Sequence, residues 1–157
     1  MNRKLVIGDI HGGLKALVQV LERAKVSEKD TLIFLGDFVD GWSESPAVLD
    51  FLIHLKQQQN CIFIRGNHDD LLLKWLCGDH EGFDEKMWFL HGGEATALSY
   101  QNKDEATKKK HIQYLKSLQN YYLLQFDLYL LFLLLLLQHL NHPYTVFYQP
   151  KPNNNLP

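Results

Sequence analysis

Apolar runs closed by glycine and a short polar residue recur three times in the first seventy residues. Lys4-Leu5-Val6-Ile7 leads into Gly8-Asp9-Ile10-His11, Thr31-Leu32-Ile33-Phe34-Leu35 into Gly36-Asp37-Phe38-Val39-Asp40, and Cys61-Ile62-Phe63-Ile64 into Arg65-Gly66-Asn67-His68-Asp69. Runs of three or four apolar residues closed by glycine read as buried strands. Between the first two, Leu14, Leu17, Val18 and Leu21 fall at the spacing of one helix face. After the second, Ser45-Pro46 reads as an N-cap with proline at the first helical position, and Val48, Phe51, Leu52 and Leu55 repeat the spacing. A third helix is predicted from Asp70 to Cys77, stopped by Gly78 and capped by Asp69 and Asp70. Alternating strands and helices predict the α/β class with a parallel sheet.

Farther on the periodicity weakens. Residues 79 to 102 read as a loop near the site, with Trp88-Phe89-Leu90-His91-Gly92-Gly93 at its centre, and Asp104 to Leu118 as an exposed helix with a solvated lysine face. Trp42, Trp75 and Trp88 read as core or loop anchors rather than stacking platforms, and His91 as a packing residue or a substrate contact. Leu128 to Leu137 is an unbroken apolar run of ten residues, followed by an Asn- and Pro-rich end. Ten residues fall short of the roughly 20 that a membrane-spanning helix needs. The expectation is one domain over residues 1–125 and an atypical tail over 126–157, with a carboxy-terminal membrane anchor as the lesser alternative.

Composition narrows the partners. A chain of 157 residues with 46% apolar residues can bury one sizeable core, and a formal net charge of −2 gives no electrostatic case for nucleic acid or an acidic membrane. Cys61 and Cys77 form neither a C-x-x-C pair nor a disulfide framework. A strand that begins almost at the amino terminus leaves no room for a signal peptide. Free thiols and this start point to a cytoplasmic protein; no oligomeric state follows.

If the three runs are neighbouring parallel strands, Asp9, His11, Asp37, Asp40, Asn67 and His68 emerge at one edge of the sheet, where α/β sheets bind ligands. Carboxylates, imidazoles and an amide oxygen suit manganese, iron or zinc. Asp37 is assigned as a bridge between two divalent ions, with Asp9 and His11 on one side and Asn67 on the other. Such a pair would activate water for attack on phosphorus. His68, next to Asn67, is the candidate general acid for the leaving group, and Asp40 the carboxylate that orients it. The bland alternatives are helix caps and turns, and for Asp40 bonds to loop amides.

Gly8-Asp9-Ile10-His11-Gly12, Gly36-Asp37-Phe38-Val39-Asp40 and Gly66-Asn67-His68-Asp69, in this order and spacing, resemble the calcineurin-like metallophosphoesterases. They are most similar to the bacterial phosphoprotein-phosphatase branch, which includes serine/threonine phosphatases and symmetrical diadenosine-tetraphosphate hydrolases. The resemblance covers roughly residues 3 to 120 and implies a four-layer α/β/β/α sandwich, a dinuclear metal site, and a phosphorylated protein or a nucleotide as substrate. It also sets Trp88 to Tyr100, with His91, Gly92, Gly93 and Thr96, beside the substrate cleft.

Three departures stand out. Asp40 is followed by Gly41-Trp42 where the family commonly has Asp-Arg-Gly, and Arg65 supplies part of the missing charge or makes a structural salt bridge. The second metal's two carboxy-terminal histidines have no matching motif, since His139 and His142 sit in another context. The chain also stops early for the family, so the fold is expected to be incomplete at its carboxy terminus, through truncation or a frameshift. A metal-dependent phosphoesterase leads the functional readings, most of all one for phosphoserine or phosphothreonine in proteins, with diadenosine tetraphosphate, cleaved symmetrically, as the close second substrate. Behind it stand a catalytically impaired remnant holding one metal at Asp9, His11 and Asp37, and a membrane-attached interaction protein.

Overall fold

The computed structural model describes residues 3–123. Residues 3–119 belong to one compact unit; of a second, beginning at Asn120, only residues 120–123 are described, and they form no regular element. The tail and its leucine run lie outside the described residues.

Three strands, β1 (Lys4–Ile7), β2 (Thr31–Phe34) and β3 (Asn60–Phe63), form a parallel sheet in the order β1-β2-β3. Lys4 is level with Thr31 and Asn60, and Ile7 with Phe34 and Phe63. All three strands therefore end at one height, so the loops that follow open at the same edge. Leu32, Ile33 and Phe34 are buried in succession, as befits a central strand covered on both faces. Among the described residues this is the one sheet; the second layer of a four-layer sandwich is not among them.

Helices α1 (Leu14–Arg23), α2 (Ser45–Gln58) and α3 (Asn67–Cys77) follow the strands in turn. In α1, Leu17 is buried and Leu14 and Leu21 pack against the core, as the spacing predicts. Gly78 ends α3 in the left-handed conformation at φ 64°. Helix α3 starts three residues earlier than the sequence suggests, so Asn67 and His68 ride on its first turn. The N-cap of α2 is Glu44 rather than Ser45. Ser45 is buried instead, its Oγ accepting from the Asp40 N–H at 3.2 Å and lying 2.8 Å from Thr96 Oγ1.

The stretch read as a loop is helical: α4 (Glu85–Trp88), a kinked turn over Phe89–Gly93, and α5 (Glu94–Tyr100). Trp88 and Tyr100 are buried there, so the segment belongs to the core. Helix α6 (Glu105–Lys116), capped by Asp104, buries His111, Tyr114 and Leu115. That stripe escapes a hydrophobicity scan because its first member is histidine. His111 is satisfied between the Tyr100 hydroxyl at 2.7 Å from Nδ1 and Asp50 Oδ1 at 3.0 Å from Nε2, which ties α2, α5 and α6 together.

Two carboxylates lock the sheet at its two ends. At the start of the strands, buried Asp30 accepts from Arg3 Nη2 at 2.6 Å and Nε at 3.0 Å, and from the Ser27 N–H at 2.8 Å. At the far end, buried Asp69 accepts from the N–H groups of Asp37 (2.9 Å), Phe38 (2.9 Å) and Gly66 (2.8 Å). It caps α3 through Gly66, and it also holds the β2 and β3 turns against each other. Gly36, at φ 106°, and Gly66 permit that approach: a Cβ on Gly36 would run into the Gly66 backbone, and one on Gly66 into the Asp37 carboxylate. Gly8 has open space around its missing Cβ, so no close approach requires glycine there.

The Arg3 guanidinium, then the Ser27 N–H, hold the Asp30 carboxyl well below the usual carboxylate range. A depressed carboxyl contributes stability that is complete above its unfolded value, about 3.9, and lost as pH falls through the folded one. Asp30→Asn is therefore expected to lower Tm at pH 7, with the gap to the parent chain closing as thermal melts are taken below about pH 4.

Candidate metal and phosphate site

The strand-end loops bring Asp9, His11 and Asp37 together: one ligand atom of each lies within 4.8 Å of the others. Asp9 is exposed, His11 half-buried and Asp37 buried. The β1 loop is seated on the β2 loop by backbone bonds from the Ile10 and His11 N–H groups to the Asp37 carbonyl at 3.0 and 2.9 Å. His11, Asp37 and Asp40 have positive φ, of 49°, 51° and 72°, a conformation that side chains rarely adopt. Strain gathered on three polar residues of one cluster is typical of a site that the surrounding fold must hold in place.

His11 Nδ1 lies 3.2 Å from the Val39 carbonyl. A proton on Nδ1 satisfies that oxygen and leaves the lone pair of Nε2, the atom 3.8 Å from Asp9 Oδ2, free for a cation. Two carboxylates and an imidazole nitrogen make a donor set for a divalent transition metal, and the residues present fit one. Asn67 opens the first turn of α3, directly after the Gly66 that packs against the Asp37 turn, which puts its backbone on the β3 side of the cluster.

His68 joins the cluster through backbone and ring. Its N–H donates to Asp37 Oδ1 at 3.0 Å, and its imidazole meets that of His11 edge-on with centroids 4.9 Å apart. Nδ1 lies 2.8 Å from Oδ2 of Asp40, a fully buried carboxylate. That hydrogen bond raises the His68 pKa against the opposing effect of burial, with Asp40, Asp37 and Asp69 adding attraction. The Trp88 indole donates to the same Oδ2 at 2.7 Å, and Thr96 Oγ1 takes the Asp40 N–H at 3.0 Å. Asp40 Oδ1 is buried without a hydrogen-bond partner among the described residues.

Asp69 is the residue whose part in the site sequence reasoning missed. Burial pushes its carboxyl up to about 7, while the three N–H donors favour the ionised form. Its position in the first turn of α3 signals a cap, and nothing in the sequence signals the bonds to the β2 loop. Trp88 was missed as a partner of Asp40 for the same reason: 48 residues separate them.

Of the two candidate substrate contacts, Arg65 is engaged by neighbouring groups and His91 is in solvent. Arg65 pairs with Asp70 at 3.4 Å and donates to the Leu115 carbonyl at 3.1 Å, so its guanidinium is turned toward α6. His91 is exposed on the kinked turn, which reaches the site through a bond from the Gly41 N–H to the Gly92 carbonyl at 3.0 Å. Trp42 is no core anchor: its backbone N–H donates to the His11 carbonyl at 3.0 Å, but the residue is 70% exposed. No helix among the described residues is long and apolar enough to cross a membrane.

The chain is 30% identical over 125 residues to the asymmetrical bis(5'-nucleosyl)-tetraphosphatase PrpE of Anoxybacillus flavithermus, an alignment covering 73% of this chain and 49% of that protein. It is 41% identical over 66 residues to the serine/threonine-protein phosphatase 4 catalytic subunit of Eremothecium gossypii, covering 41% of this chain and 21% of that one. A crystal structure proposed to be a diadenosine tetraphosphatase superposes with a TM-score of 0.51 at 24% identity, over 73% of this chain and 42% of that one, and shows the shared fold. The chain thus spans about half the length of the PrpE proteins it matches, 49% and 44%. The family profile described as calcineurin-like phosphoesterase matches residues 3–154, nearly the whole sequence. With that match, and with the three glycine-led motifs meeting at one sheet edge, the chain belongs to the calcineurin-like phosphoesterase family.

Proposed function

We propose that this site hydrolyses phosphate esters or anhydrides with divalent metal, Asp37 as the shared metal ligand, and His68 as the proton donor. The observation that carries the proposal is the convergence of Asp9, His11 and Asp37 within 4.8 Å, with the His68 imidazole packed against that of His11. Asp9, His11 Nε2 and Asp37 would hold one ion, and Asp37 with Asn67 would contribute to a second, manganese being the preferred metal in this reading. Divalent ions held there supply an acidified water and charge neutralisation at phosphoryl oxygens.

The chain's own residues do the rest. His68 keeps a proton on Nδ1 for Asp40, which leaves Nε2 to give a proton to the departing oxygen. Asp40, held by Trp88 and by backbone bonds to Ser45 and Thr96, fixes the imidazole and stabilises its charged form. Because Asp40 lies out of solvent, its charge acts on His68 with little screening.

Two substrate classes compete. A phosphoserine or phosphothreonine in a protein is supported by the likeness to the phosphatase 4 catalytic subunit, which is confined to 66 residues. A dinucleoside tetraphosphate is supported by likeness to PrpE proteins over 73% of the chain, and we favour it on that ground. The further alternative, a remnant that binds one metal without turnover, predicts a different stoichiometry.

Purified with manganese, the chain is expected to bind two equivalents by metal analysis and to hydrolyse bis(5'-adenosyl) tetraphosphate faster than a phosphoserine peptide. Cleavage into ATP and AMP would match the asymmetrical relatives, while two molecules of ADP would indicate the symmetrical mode. One equivalent or none, with no hydrolysis of either substrate, would overturn the proposal in favour of the remnant. Asp37→Ala should lose both metals and all turnover, since two cations would be left without their common anion. In His68→Ala, metal content should persist while kcat drops roughly 10²–10⁴-fold, the usual worth of a general acid; loss of metal would make His68 a ligand instead.

A further inference from the structure

Trp42 is an exposed aromatic residue whose backbone is fixed to the metal-bearing loop, and neither the catalytic chemistry nor the core uses its ring. Its N–H donates to the His11 carbonyl at 3.0 Å, and its own carbonyl packs so close to Gly12 that a Cβ there would lie 2.6 Å from it. The preceding Gly41 lies 3.5 Å from the His11 side chain, measured from its ideal Cβ position, and donates to the Gly92 carbonyl at 3.0 Å. That second bond brings in the kinked turn that carries Leu90, which is 79% exposed. The backbone is thus pinned on both sides, yet the indole is left in water at 70% exposure. Leaving so large an apolar surface wet is unfavourable in the free chain, and covering it would contribute to binding.

We propose that Trp42 is a stacking platform for the base of a nucleotide whose phosphate chain occupies the metal site, making it a specificity-determining residue. This rests on the phosphoryl-hydrolase reading and goes beyond it in naming the group recognised next to the phosphate. The chemistry of the ligand follows from the juxtaposition. A loaded metal cluster attracts an anion, and an uncharged flat ring on the residue bonded to the His11 carbonyl selects a flat π system tethered to that anion. Every nucleobase has such a face, so stacking on the ring accepts adenine without reading its edges. A tryptophan has two side-chain torsions to order, and the pinned backbone removes further freedom that binding would otherwise have to restrict.

Isothermal titration of the manganese-loaded chain with adenosine 5'-(α,β-methylene) diphosphate and with the monomethyl ester of methylenediphosphonate tests this, since the two phosphonates have the same number of ionisable oxygens and differ by adenosine in place of methyl. The parent chain is expected to bind the nucleoside form about 5- to 150-fold more tightly, the range for one base on an aromatic ring. Trp42→Ala should erase that preference and raise KM for the dinucleoside tetraphosphate with a smaller change in kcat, and Trp42→Phe should restore most of it. Equal affinities in the parent chain, or a preference that survives Trp42→Ala, would overturn the inference while leaving the hydrolase reading standing. Binding of neither phosphonate would overturn it too, and absence of bound manganese in the same sample would show that the hydrolase reading has failed with it. A defect of Trp42→Ala confined to phosphopeptides would assign the ring to a protein substrate and equally reject the nucleotide.

Discussion

Everything at the sheet edge depends on one buried carboxylate that accepts three backbone N–H groups from two loops. Asp69 grips Asp37, Phe38 and Gly66 at 2.8–2.9 Å, and the two turns it joins come close enough that neither Gly36 nor Gly66 has room for a side chain. A buried charge of this kind is unfavourable unless its hydrogen bonds are met, and here each oxygen accepts at least one. The result is directional. The Asp37 carboxylate is held against the first turn of α3, where the His68 N–H reaches it.

A second buried carboxylate orients the His68 ring. Asp40 sits at positive φ, takes the Trp88 indole and His68 Nδ1 on the same oxygen, and has its own N–H bound by Ser45 and Thr96. Its partners come from α2, α3, α4 and α5, so the orientation of the His68 ring is a property of the whole packed unit. The strained backbone at His11, Asp37 and Asp40 belongs to the same design: side chains rarely occupy that region unless neighbours over-determine it.

Family membership and the choice of substrate rest on different grounds. The motifs and their convergence place the chain among the calcineurin-like phosphoesterases, a family whose matched relatives include enzymes named for nucleotides and for proteins. Groups around the candidate metal cluster are where a preference between those substrates would be set. On this chain the described candidates are few: an arginine turned toward α6, an exposed His91, and the wet indole of Trp42.

The three strands, the loops that follow them and the grouping of Asp9, His11 and Asp37 were legible in the residues because they follow from local patterns: apolar runs fix the strands, and each of these polar residues lies within a few positions of a strand end. Helices α1 and α2 were legible from their apolar period and α3 from the glycine that ends it, while the starts of α2 and α3 were not, since Ser45 is buried against Asp40 and Asp69 bonds to the β2 loop. The segment from 79 to 102 was not, because its apolar residues are interrupted by Gly92 and Gly93 and its helices are short, and tertiary burial of Trp88 and Tyr100 overrides that weak local preference. Likewise the stripe of α6 was hidden by a histidine that becomes an inside residue when Tyr100 and Asp50 satisfy both its nitrogens. Local order along the chain therefore told which groups could meet cations. Which groups hold them there, Asp69 across 32 residues and Trp88 across 48, was settled by packing, since a hydrogen bond between distant segments leaves no periodic trace in either.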